Sequence, residues 1–217
     1  MYLFGILVSL YHILSMLSMD TGTHDGRWTN GMNSLLLLEF HLLRRLLECC
    51  YCTIYGNSLM HVSGLLCGLL HYFLVPLCIV HGNLNSSNGA NANGINRMHE
   101  EDSTWTFLSV MLFFVSNYFQ LDSHLILYRM KLKYAESYAL PTDSLFQYVC
   151  CPHYLMEILI YFCFWMISPR SLSLFCLVIW VASNLSVVAN HNLLFYCEKF
   201  KDSDKINNWK RIVPFIW

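Results

Sequence analysis

Four stretches of this chain place groups capable of acid–base or anion-binding work inside otherwise apolar sequence. The first is Glu39-Phe40-His41-Leu42-Leu43-Arg44-Arg45-Leu46-Leu47-Glu48. His41, Arg45 and Cys49 are spaced i, i+4, i+8, and Arg44 and Glu48 are spaced i, i+4, so on a helix Arg44 and Glu48 can pair along one face. Charge inside a membrane span is costly and marks a function or an internal pair. The same residues also suit an interfacial helix whose arginines snorkel, with Glu48 as partner. The second stretch is Met60-His61, at the start of a later apolar run; a histidine there serves either as an acid–base group or as a structural hydrogen-bonder. In the third, Asn117, Gln120, His124 and Lys131 recur near helical spacing, which also fits an ordinary helix end entering water. The fourth is Phe146-Gln147-Tyr148-Val149-Cys150-Cys151-Pro152-His153-Tyr154-Leu155-Met156-Glu157. Pro152 can open a helix because its missing N–H costs nothing there, and His153 and Glu157 then share one face of the first turns. Aromatic and amide groups before a helix N-terminus can cradle a phosphate-bearing ligand; a membrane-interface aromatic belt has the same composition.

The elements that must position these groups are membrane helices. Of 217 residues, 56% are hydrophobic and 12% charged, against about 25% charged in soluble domains. The mean hydropathy is +0.43. A span needs ~20 apolar residues, and backbone groups in lipid must be bonded internally, so helices are the default. Six runs qualify, roughly Tyr2–Leu17, Leu35–Ile54, Leu59–Val80, Thr104–Phe119, Tyr154–Ile167 and Leu172–Val188, an all-α polytopic transmembrane bundle. The first run lacks a basic flank and a small-residue cleavage site, so it reads as a retained span. The net charge of −1 leaves no basic footprint for nucleic acid. Most of the ten cysteines lie within apolar runs as small hydrophobes, with no zinc-type spacing and no metal site expected. The sequence has no G-x-G-x-x-G after a strand, no P-loop and no G-x-S-x-G.

Residues 82–102, rich in Asn and Gly, read as a flexible loop, and Asp122–Cys151 as a long functional one. With six spans, the N-terminus, the 122–151 loop and the Lys-rich tail share one side, which is cytoplasmic by its Lys and Arg content. Asn85-Ser86-Ser87, a glycosylation acceptor pattern, then falls on the lumenal side.

Together these segments resemble the steroid 5α-reductase family, and its polyprenol reductase branch in particular. The fourth stretch is similar to the family's Phe-Glu-Tyr-Val…Asn/His-Tyr…Glu pattern, with Gln147 where Glu is usual. His41-Leu-Leu-Arg-Arg-Leu-Leu-Glu-Cys49, Ser58-Leu-Met-His61 and Gln120-Leu-Asp-Ser-His-Leu-Ile-Leu127 resemble that branch. The ending Phe195-Tyr196-Cys-Glu-Lys-Phe200…Lys210-Arg-Ile-Val-Pro-Phe215 looks like the family terminus, with Asn192-Leu193-Leu194 where a His is expected. The family's first helix and an early catalytic Glu have no clear counterpart. The resemblance covers residues 33–217, with 128–217 as the cofactor-binding part and 1–32 as a poorly matched N-terminal span and loop.

The resemblance implies a bundle of about seven helices that takes NADPH from the cytoplasmic side and a long-chain polyprenyl lipid from the bilayer. It implies NADPH contacts from Arg45, Gln120, His124, Lys131, Tyr148, His153, Glu157 and Tyr196. The implied reaction is hydride transfer to a C=C bond conjugated to a carbonyl, then protonation, in the endoplasmic reticulum membrane on the way to dolichol and N-glycosylation. An enolate oxygen needs a donor and the carbon a proton; His61 and Tyr55 are the candidates for that role. A steroid or enoyl-CoA reductase and a non-catalytic homologue remain as alternatives.

Overall fold

The computed structural model describes residues 1–18, 26–54, 61–85, 95–134, 139–167, 171–200, 206 and 209–212. They form six α-helices: α1 Tyr2–Ser18, α2 Gly26–Tyr51, α3 Val62–Asn85, α4 Ile95–Lys133, α5 Pro152–Ile167 and α6 Leu172–Lys199, with a 3₁₀ turn at Ser144–Gln147. The all-α bundle expected from the apolar runs is the fold found.

α1 buries one stripe and turns an equally apolar face outward. In α1 the buried stripe is Gly5, Ile6, Ser9, Ile13 and Met16, while Leu3, Leu7, Leu10, Leu14 and Leu17 are exposed. A water-soluble helix would be polar on that outer face; leucines there suit lipid. Val62–Gly82, Thr104–Lys133 and Leu172–Lys199 are long and apolar enough to cross a bilayer, with mean hydropathies of 2.0, 1.2 and 2.1. α1 and α5 are shorter apolar helices, and α2 carries the charged stretch.

A core of Leu38, Leu42, Ile79, Phe113, Ile160, Phe164 and Leu174 joins α2, α3, α4, α5 and α6. α1 packs on α2 and α3, and the α4–α5 interface is the most extensive. Gly5 allows the close approach of α1, since a Cβ there would lie 3.1 Å from Tyr72 Cδ1 and 3.3 Å from Leu42 Cδ1. Lys131 Nζ donates to the Ile54 carbonyl, which brings the ends of α2 and α4 to one end of the bundle. At the other end, Ser173 Oγ lies 3.5 Å from the Cys78 carbonyl, tying the start of α6 to α3. These ties fit an alternating up-and-down path.

Two expected loops are shorter than the sequence suggested. α3 continues through Asn85 and α4 begins at Ile95, because Arg97, Met98, Glu100 and Glu101 favour helix. α4 likewise runs on to Lys133, because no Gly or Pro interrupts the chain from Asp122 until Pro141. At ~1.5 Å per residue its 39 residues span ~58 Å, well beyond a hydrocarbon core of ~30 Å. Tyr55 and the Ser86-Ser87 part of the acceptor pattern lie outside the described residues.

The C-terminal strap closes the fold. Val149 and Lys210 form an isolated parallel bridge. Cys150 N–H donates to Lys210 O at 2.8 Å, Cys151 N–H to Arg211 O at 3.1 Å, and Trp209 Nε1–H to Phe146 O at 2.8 Å. Cys150, Cys151, Ala189, Trp209 and Ile212 form a second buried cluster beneath it. The strap therefore fixes the segment that leads into α5. Truncating a buried Trp costs about 3–5 kcal/mol, so Trp209→Ala should release the strap. Trypsin cleavage after Lys210 and Arg211 should then accelerate tenfold or more under native conditions. An unchanged cleavage rate would show that the strap is held by other contacts.

Candidate active site

The site is built from helical registers that aim polar groups at one interior point. α2 presents His41, Arg44, Arg45 and Glu48 at i, i+3, i+4 and i+7; α4 presents Asn117, Gln120 and His124 at i, i+3 and i+7. α5 presents His153, Glu157 and Tyr161 at i, i+4 and i+8. Residues at these spacings stack on one helix face.

Glu48, 4% exposed, is the hub. Its carboxylate accepts from Arg44 Nη1 and Arg45 Nη1, and it lies 2.7 Å from His124 Nδ1. Arg45 Nη1 and His124 Nδ1 both meet the same Glu48 Oε2 and lie 2.8 Å from each other. Arg45 Nη2 also donates to the Tyr2 hydroxyl at 3.0 Å, and its guanidinium lies 5.3 Å from the Tyr2 ring centroid. The α1 helix thereby contributes directly to the site.

Arg44 faces the other way along the network. Asn117 Nδ2 donates to the Phe113 carbonyl at 2.8 Å, which fixes the orientation of its amide. Asn117 Oδ1 then accepts from Arg44 Nε at 2.9 Å and His41 Nδ1–H at 3.1 Å. Arg44 Nη2 donates to Gln120 Oε1, and Gln120 Nε2 donates to Glu157 Oε2 and, at 3.3 Å, to the His153 carbonyl. His41 Nε2 lies 3.5 Å from Glu157 Oε1. Two arginines thus sit among two glutamates, and their formal charges cancel within one network. Desolvated charges persist inside a bundle only when paired and hydrogen-bonded in this way.

A cavity of about 410 Å³ adjoins this network, within the range of small-ligand sites (~300–1,000 Å³). Arg45, Gln120, His124, His153 and Glu157 line it. Gly64, Cys67, Gly68, His71 and Tyr72 from α3, Tyr154 and Tyr161 from α5 and Trp180, Val181, Asn184 and Leu185 from α6 complete the lining with Met1 and Tyr2. His153 Nδ1 and Arg45 Nε are buried and have no hydrogen-bond partner among the described residues. Buried polar atoms are normally satisfied, so two orphans on residues lining one cavity point to a polar ligand.

Five of the eight expected cofactor contacts therefore meet at one cavity. Lys131, Tyr148 and Tyr196 lie outside its lining. Lys131 is spent on the Ile54 carbonyl, Tyr148 is exposed, and Tyr196 packs against Trp209 at 5.6 Å. His61 is exposed at the start of α3, with Nδ1 2.7 Å from Ser63 Oγ, and is likewise outside the cavity. Sequence reasoning missed His71 and Tyr161. Their signals were a lone His within the apolar α3 run, and the i+4 step beyond Glu157. Among the described residues no cluster of His, Cys, Asp or Glu could hold a metal.

The family profile described as 3-oxo-5-alpha-steroid 4-dehydrogenase matches residues 49–217. Polyprenal reductase of Danio rerio is 27% identical over 215 residues, covering 94% of this chain and 67% of that protein. Polyprenal reductase of Saccharomyces cerevisiae is 32% identical over 177 residues, covering 81% and 61% respectively. The Homo sapiens protein of the same name is 29% identical over 190 residues, covering 84% and 58%. The chain spans about three-fifths of the length of most such relatives, as these shares show.

Removing one partner from a buried ion network costs about 3–5 kcal/mol, because the charges left behind are uncompensated. Glu48→Ala should therefore destabilise the detergent-solubilised protein by about that amount, read as a fall in its thermal unfolding midpoint. A loss below ~1 kcal/mol, the range of exposed pairs, would mean that water already reaches the arginines.

Proposed function

Because the chain belongs to the 3-oxo-5-alpha-steroid 4-dehydrogenase family, we propose that it reduces the α-isoprene double bond of a polyprenal with NADPH. The observation that carries this reading is the cavity where Arg45, Gln120, His124, His153 and Glu157 converge, with two buried donor or acceptor atoms left for a ligand. The similarity to proteins named polyprenal reductase supports the choice of substrate.

The residues present fit a reduced dinucleotide. Arg45 offers a cation and a free Nε–H, His153 an unpaired ring nitrogen, and Glu157 and Gln120 an acceptor and a donor for amide and hydroxyl groups. Bound there, the cofactor supplies hydride, chemistry that side chains cannot provide. The protein's own work is to bind and orient, since helices locked by the Glu48 network hold the lining groups before a ligand arrives. The substrate class follows from electronics. An isolated alkene does not accept hydride, whereas an enal does, because charge moves to its oxygen. Exposed apolar faces on α1, α3, α4 and α6 suit a bundle whose long isoprenoid substrate comes from the bilayer. In this reading residues 33–217 form the reductase domain and 128–217 its cofactor part. The site end of the bundle faces the cytoplasm, the membrane is the endoplasmic reticulum, and the product feeds dolichol and N-glycosylation.

A steroid enone presents the same conjugated carbonyl, and the family description favours it as a second substrate class. Purified protein in detergent should oxidise NADPH on addition of polyprenal, with the saturated aldehyde detected by mass spectrometry; a steroid 4-en-3-one run in parallel separates the two classes. His153→Ala should weaken NADPH binding about tenfold, the scale of one hydrogen bond of ~1.4 kcal/mol. Folded protein that neither binds NADPH nor forms product would sink the reading.

A further inference from the structure

The cavity wall carries a pair, buried Tyr161 and half-buried His71, that the ion network does not use. The Tyr161 hydroxyl on α5 lies 2.8 Å from Nε2 of His71 on α3, and both residues line the cavity. Tyr161 is 2% exposed. Its ring is held between His71 at 5.5 Å and Phe164 at 6.1 Å, while His71 also packs on Tyr72 at 5.2 Å. The hydroxyl has no other hydrogen-bond partner among the described residues. With His71 in its Nε2–H form, the imidazole donates to the tyrosine oxygen, and the tyrosine proton is left for a group in the cavity. A hydroxyl held this way is a fixed donor at the edge of an otherwise charge-balanced site.

We infer that the Tyr161 hydroxyl is the catalytic donor to the carbonyl oxygen of the substrate, with His71 as its positioning residue; this rests on the enal-reduction reading above. The hydride that a bound reduced nicotinamide would supply would form a C–H bond at the β-carbon as the C=C π bond breaks. That pair becomes the double bond between the α-carbon and the carbonyl carbon, and the carbonyl π pair moves to oxygen. The Tyr161 O–H proton passes to this oxygen, giving the enol, and the His71 Nε2–H stabilises the tyrosinate left behind. As the aldehyde re-forms, the enol proton returns to Tyr161 and the α-carbon takes a proton from solvent water, which is left as hydroxide and so accounts for the one H⁺ that the overall reduction consumes. The nicotinamide is oxidised, the enal is reduced, and Tyr161 and His71 end as they began. The assignment gives to Tyr161 the role that sequence reasoning gave to His61 and Tyr55; His61 is exposed and outside the cavity, and Tyr55 lies outside the described residues.

Losing a preorganised donor to a developing oxyanion costs about 10²–10³-fold in kcat. Tyr161→Phe should therefore lower kcat for polyprenal about 100-fold or more, with NADPH affinity within twofold of the unsubstituted protein. A readout without turnover accompanies it. Polyprenal bound in the presence of NADP⁺ should show a red-shifted enal absorbance, from the hydrogen bond to its oxygen, and Tyr161→Phe should abolish that shift. His71→Phe should cut kcat at least tenfold and His71→Gln less, because Gln retains an N–H donor. If Tyr161→Phe loses NADPH binding through misfolding, the His71 pair decides: equal losses, or none, overturn the assignment. Kcat within threefold in folded Tyr161→Phe overturns it directly. Unsubstituted protein that binds NADPH without reducing polyprenal overturns the functional reading, and this one with it.

Discussion

Everything in this fold answers to the problem of Glu48. A carboxylate at 4% exposure between membrane helices is tenable only if its charge is met at close range. Arg44 and Arg45 meet it from the same helix, and His124 from α4. Two cations on one anion would leave an excess, and Glu157 on α5 supplies the second negative charge, linked to Arg44 through Gln120. Neutrality thus requires α2, α4 and α5 to dock in one register. A slip of one helical turn would move each partner by ~5.4 Å and leave charges stranded. The ion network specifies the packing, while the apolar contacts of Leu38, Leu42, Phe113 and Phe164 contribute most of the burial.

The same register explains why the cavity has two kinds of wall. The faces that carry the charges continue, one turn further along, into neutral residues: Glu157 is followed by Tyr161 on α5. α3 has glycines at positions 64 and 68 where it borders the cavity, and His71 one turn beyond. One helix, α5, therefore presents an ionised group and a neutral donor to a single space. A rigid helix fixes the distance between them with a precision that loops do not offer.

Much of this was legible in the sequence, and the reasons differ by residue. Arg44, Glu48 and Glu157 stand out because charge inside an apolar run has few explanations, and i, i+4 spacing reveals the pairing. The helix count follows from hydropathy. The ends of α3 and α4 did not, because Asn-rich and basic segments can extend a helix into water as readily as they end one. Tyr161 was hidden for the opposite reason to Glu48. A tyrosine in a Phe- and Trp-rich helix resembles core, and only the position of His71 on a helix 90 residues away in sequence distinguishes it. The strap was not legible: the segment reads as a Lys-rich tail, and nothing in the spacing foretold that Trp209 would bond the Phe146 carbonyl.

Low dielectric cuts both ways in such a site. The surroundings that make an unpaired Glu48 expensive also magnify each hydrogen bond offered to a developing charge. A cation beside a carbonyl oxygen would stabilise an enolate, but a buried cation is itself costly unless it is paired. A neutral hydroxyl costs little to bury once it has a partner, and it still donates when charge appears on the substrate oxygen. The arginines, already balanced by Glu48 and Glu157, are suited to a ligand that arrives charged. Tyr161, held by His71, is suited to one that becomes charged only during reaction. With the arginines on α2 and Tyr161 on α5, the polar cofactor and the apolar aldehyde are assigned to different walls of one cavity in the proposed reading.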